Sequence, residues 1–68
     1  TARELGETLS RFLFLQKPEV RTAFLRRYWY AESLEEVAAY MGWGLSRTKS
    51  VLFRTRKRLG IYLKQEGY

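Results

Sequence analysis

Histidine, cysteine and aspartate are all missing from this chain. Their absence removes the imidazole base, the thiol nucleophile and the usual ligands of a metal cluster. Seven glutamates remain as acids, mostly at exposed helical positions. Gly42 and Gly44 belong to a turn rather than to a phosphate-cradling loop. The residues therefore point away from an enzyme, with neither cofactor nor metal. What the chain holds in quantity is positive charge: thirteen Lys and Arg against seven Glu, a net +6. Arg47, Lys49, Arg54, Arg56, Lys57, Arg58 and Lys64 fall together, with no acid between Glu36 and Glu66. The other cations are interleaved with glutamates, the pattern of a solvated surface. A cluster of this kind suits a polyanion, nucleic acid first and an anionic membrane surface second.

The cluster is also seamed with apolar residues. In GWGLSRTKSVLFRTRKR, residues 42–58, Thr48, Val51, Leu52 and Thr55 recur every three or four positions, and Leu59 and Tyr62 continue the series. That period marks one face of a helix. Ser46, Lys49, Ser50 and Phe53 fall on another face, flanked by Arg47, Arg54 and Arg56 at phosphate-reaching positions. A solvated charged face explains a basic run alone, but it gives a phenylalanine at position 53 no reason to be there. A partly buried edge position or a DNA contact would give one. A membrane-surface helix over 45–65 would need a broader apolar side than this narrow seam.

The elements that must position this face follow from local signals. Leu5, Leu9, Phe12 and Leu13 form a helical stripe within ELGETLSRFLFLQ, which Lys17-Pro18 ends. Pro18 then opens a second helix, PEVRTAFLRRYWY, with Val20, Phe24, Leu25 and Tyr28 on its inner side. Ser33 and Glu36 make a capping box for a third helix, lined by Leu34, Val37, Ala38 and Met41 and stopped by Gly42 in a left-handed cap. The fourth and longest helix spans roughly Leu45 to Gln65, with Gly60 a blemish of about 1 kcal/mol against alanine. No sustained two-residue alternation indicates a strand. The expected fold is all-α: a single four-helix domain over residues 1–68. A short capped helix, a glycine turn and a longer helix make a helix-turn-helix, whose second helix enters a major groove.

At this point a family resemblance appears. The run RRYWYAESLEEVAAYMG followed by SRTKSVLFRTRKRL resembles region 4 of the sigma-70 family of RNA polymerase sigma factors, in particular the short extracytoplasmic-function type. The resemblance spans essentially the whole chain. It implies reading of the promoter −35 element by the last helix and docking on the β-flap of core RNA polymerase. It also implies a bacterial, cytoplasmic setting with no membrane partner, and an anti-sigma factor as a further partner. Positions matching Lys49, Ser50, Phe53 and Arg54 contact DNA in that family, and those matching Leu45 and Ser46 lie at the helix tip. Three residues depart from the pattern. Gly44 stands where Ser, Thr or Pro is usual, Leu45 where a polar residue is common, and Thr48 where Val or Ile fills the seam. The last departure predicts slightly looser packing. Chain start at Thr1 suits a C-terminal piece of a longer protein.

Tyr28-Trp29-Tyr30 is the second feature with functional promise. Three consecutive helical residues point about 100° apart, so they cannot share one buried face. Spacing from Phe24 and Leu25 makes Tyr28 the expected core residue. Trp29 and Tyr30 are then either covered by Leu59 or Tyr62, or border with Leu59 an apolar groove for a helix of the polymerase flap. A competing function keeps the fold but not the DNA reading: a protein-interaction module that docks on polymerase or an anti-sigma factor.

Overall fold

A computed structural model describes all residues, 1–68. Four helices follow one another: α1 (Ala2–Phe14), α2 (Pro18–Tyr28), α3 (Leu34–Met41) and α4 (Leu45–Gln65). No helix is long and apolar enough to cross a membrane.

Each helix start has a local cause. Thr1 and Glu4 form a capping box for α1: the Glu4 N–H donates to Thr1 Oγ1 at 3.2 Å, and the chain's amino group donates to Glu4 Oε2 at 3.4 Å. Pro18 occupies the first position of α2, where its missing N–H matters least. Ser33 and Glu36 cap α3 reciprocally, at 3.0 and 2.9 Å. These bonds from Ser33, backbone first and hydroxyl second, hold the Glu36 carboxyl below its ordinary pKa. Neither α2 nor α4 has a side-chain cap: Lys17 makes no capping bond ahead of Pro18, and Gly44 has no side chain to offer.

The ends are as informative. Arg21 reaches back to the last carbonyls of α1, Leu13 O at 3.4 Å and Phe14 O at 3.5 Å. Gly42 ends α3 at φ 69°, and the Trp43 N–H then reaches Ala38 O at 3.0 Å. The end of α2 differs from expectation: it stops at Tyr28, two residues early. Tyr30 N–H bonds to Leu25 O and Glu32 N–H to Arg26 O, both at 3.0 Å, while Ala31 takes a left-handed φ of 57°.

Ala23, Phe24, Val37 and Leu52 form the core where α2, α3 and α4 meet, with Leu13, Leu34, Met41, Trp43 and Leu59 packed round it. Burial of side chains the size of Phe24, Val37 and Leu52 contributes roughly 1.5–3 kcal/mol each. Against the α4 C-terminal half, α1 packs through Phe12 on Tyr62 (5.5 Å between rings) and the Arg11–Glu66 pair at 3.1 Å. Its inner face centres on Thr8 and Phe12, whereas Leu5, expected inside, is exposed. Thr8 tolerates burial because its hydroxyl donates to Glu4 O at 3.0 Å and accepts from Arg11 Nη2 at 3.1 Å.

Thr48 and Thr55 are fully buried in the α4 seam. Their hydroxyls donate to Gly44 O at 3.0 Å and Val51 O at 2.7 Å. Thr48 thus fills its seam position with the hydroxyl satisfied inside the helix. The helix also runs unbroken through Gly60 to Gln65.

Candidate nucleic-acid interface and docking groove

The αL cap at Gly42 and the extended backbone of Gly44 (φ −69°, ψ 159°) turn the chain sharply from α3 into α4. Thr48, Leu52 and Thr55 then lock the inner side of α4 to the core, so its opposite side must face solvent. Ser46, Lys49, Ser50 and Phe53 all lie there, exposed, with Phe53 54% accessible. At the tip, Leu45 is exposed as well. Arg47 folds back along the turn, its guanidinium 4.8 Å from the Trp43 ring. Arg54 sits on the far flank beside Lys17 and Arg58, around a hollow of about 340 Å³.

Lys57 was part of the cation cluster but not of the expected contact set. It lies one turn beyond Phe53, with Nζ 5.5 Å from the Phe53 ring centre. The spacing 53 to 57 was the available signal, since residues four apart are neighbours on a helix surface.

Charge on α4 is uncompensated. The ion pairs of the molecule are Thr1–Glu4, Arg3–Glu7, Arg11–Glu66 and Arg26–Glu32, so no α4 cation has a carboxylate partner. The first turn of α4 holds no acid, and its first N–H groups lack a side-chain acceptor. Both features add positive potential at the protruding end.

A second surface lies on the other flank. Tyr28, Trp29, Tyr30 and Leu59 come together with Leu9 and Leu13 along a groove of about 1060 Å³ between α1, α2 and α4. None of the three consecutive aromatics is buried: Tyr28 is 43% exposed, Trp29 77% and Tyr30 69%. Tyr28 is thus not the core residue its spacing suggested, although its ring packs on Phe24 at 4.7 Å. The reason is the early end of α2, which leaves Trp29 and Tyr30 outside the helix and Tyr28 at its last turn. Leu59 and Tyr62 do not cover Trp29. Arg56, expected beside DNA phosphates, also lines this groove.

A short capped helix, a two-glycine turn and a long helix with an uncompensated cationic face define a helix-turn-helix protein of the DNA-binding class. Residues 17–59 match the family described as Sigma-70, region 4, and the chain belongs to that family. Its role is therefore in transcription initiation, at promoter DNA and RNA polymerase. The match covers α2, the helix-turn-helix and most of α4, and leaves α1 and the end of α4 outside. No curated protein and no solved structure matches the chain.

Proposed function

We propose that this chain reads the promoter −35 element with α4 laid in the major groove. Lys49, Ser50 and Phe53 meet base edges, Leu45 and Ser46 sit at the helix tip, and Arg47, Arg54 and Lys57 neutralise phosphates. Phe53 suits the 5-methyl group of thymine. The observation that carries this reading is the α4 outer face, where none of the cations has an acidic partner. At the same time Tyr28, Trp29, Tyr30 and Leu59 dock on the polymerase β-flap, in the bacterial cytoplasm. Consecutive aromatics exposed beside an apolar groove are what a helix-in-groove contact uses.

DNA affinity measured against salt tests the first half. With about four to six phosphates contacted, the log–log slope is near −0.9 per phosphate. Arg54→Ala lowers affinity for all sequences alike and flattens that slope by about one unit. Lys49→Ala also narrows the gap between preferred and random DNA, since a good base contact discriminates by roughly 1–3 kcal/mol. Affinity indifferent to salt sinks the DNA reading. It leaves the protein-interaction module, which the exposed Leu45 at the α4 tip would suit.

A further inference from the structure

Arg56 stands apart from the other cations of α4. Its guanidinium carbon lies 5.8 Å from the centre of the Tyr28 ring, and the side chain lines the groove with Trp29, Tyr30 and Leu59. Helical geometry turns it about 60° from Phe53, toward α2. Two other arginines border the same groove, and both are already paired: Arg3 with Glu7 at 3.4 Å, Arg11 with Glu66 at 3.1 Å. Arg56 alone among them has no carboxylate.

That difference matters when the groove is filled. An apolar helix laid against Tyr28, Trp29 and Leu59 strips water from the Arg56 guanidinium. Dehydrating a charge without giving it a counter-ion is strongly unfavourable, and a carboxylate supplied by the incoming helix removes the penalty. The face of Tyr28 holds the guanidinium at the groove wall in the meantime. We propose that Arg56 is the charge-selecting residue of the groove. The groove takes an amphipathic helix of the polymerase that carries a Glu or Asp beside its apolar stripe, and it rejects helices with a neutral or basic residue there. This rests on the docking half of the proposed function, and it moves Arg56 from the DNA interface to the protein interface.

Synthetic helical peptides test it. They share one apolar stripe at i, i+3, i+4 and i+7 and carry a single Glu, Gln or Lys at each rim position in turn. Each is titrated against the chain and followed by tryptophan fluorescence. At one rim position the Glu peptide binds the unaltered chain at least about tenfold more tightly than the Lys peptide, and Arg56→Glu reverses the order. Lys64→Glu, an equal change of net charge elsewhere on α4, leaves the order as it was. If Lys64→Glu shifts the preference as much as Arg56→Glu, or if neither shifts it, charge selection by Arg56 is wrong while docking stands. If no peptide binds, the docking reading falls and this inference with it. A second arm uses DNA: Arg56→Ala leaves the salt slope of DNA affinity unchanged, whereas a slope flattened by about one unit would return Arg56 to a phosphate and overturn the assignment.

Discussion

The two connections on either side of α3 solve the same problem by different means. Between α3 and α4, Gly42 supplies the left-handed cap and Gly44 the extended step, so three residues turn the chain with neither an ion pair nor a side-chain cap. Between α2 and α3 no glycine is present. Ala31 is forced to φ 57°, a conformation that disfavours any side chain. Side chains hold it there. Arg26 Nη1 bonds to Glu32 Oε2 at 2.7 Å, Arg27 Nη1 bonds to the Glu32 carbonyl at 2.9 Å, and Arg26 stacks 3.2 Å from the Tyr40 ring centre. The bonds to Glu32 first, and Tyr40 second, push the Arg26 pKa further up, so it stays charged. One turn is written in backbone preference, the other in an ion pair. The second arrangement leaves Trp29 and Tyr30 outside, and with them the groove wall.

The largest test of this contrast removes the ion pair. Arg26→Met keeps bulk against Tyr40 but leaves the largely buried Glu32 carboxylate without its partner, and Glu32 Oε1 already has none. We expect the largest loss of stability among these substitutions in denaturant unfolding. An unchanged midpoint would mean that the loop is held by backbone alone. Trp29→Ala comes next. Because Trp29 is 77% exposed, its removal leaves the thermal midpoint nearly unchanged while weakening flap-peptide binding by about 2 kcal/mol. Unfolding of the domain instead would make Trp29 a structural residue.

A mirrored pair then compares the two turns directly. A Cβ at Gly42 meets no atom within 4 Å, so Gly42→Ala loses only the left-handed preference, about 1 kcal/mol. Ala31→Gly relieves the same strain at the other turn. It gains about 0.5 kcal/mol, because glycine also loosens the unfolded chain. Equal signs for the two substitutions would break the comparison. The smallest effect is an acid-side slope. Glu36 has a lowered folded-state pKa, so its contribution is complete above the ordinary glutamate value of about 4.3 and is lost as pH falls through the folded value. Ser33→Ala therefore flattens the pH dependence of unfolding in that acid range, in addition to a cap loss of about 1 kcal/mol at neutral pH.

Features set by residues within one turn of each other were legible in the sequence. The Ser33–Glu36 box, Pro18 at the head of α2, Gly42 at the end of α3 and the bounds of α4 all stand where spacing put them. The Thr1–Glu4 box that starts α1 is equally local. What could not be read depends on contacts between elements. The end of α2 at Tyr28 is set by Arg26 meeting Glu32 and Tyr40 across a turn. Thr8 displaced Leu5 from the inner face of α1 because Arg11 and a helix carbonyl satisfy its hydroxyl. On α4, the outward set Ser46, Lys49, Ser50 and Phe53 followed from periodicity alone. That Arg56 lines the groove did not, since only the position of α2 decides it.

The buried threonines carry a consequence for how such a domain changes over generations. Thr8, Thr48 and Thr55 each return their hydroxyl to a carbonyl four residues back in the same helix. These core hydroxyls make no hydrogen bond from α4 to another helix. The scaffold beneath the outer face therefore holds no polar pairing that a change at Ser46, Ser50 or Phe53 would disturb. Inheritance can revise what α4 recognises one exposed residue at a time, while the interior that holds it in place is passed on unaltered.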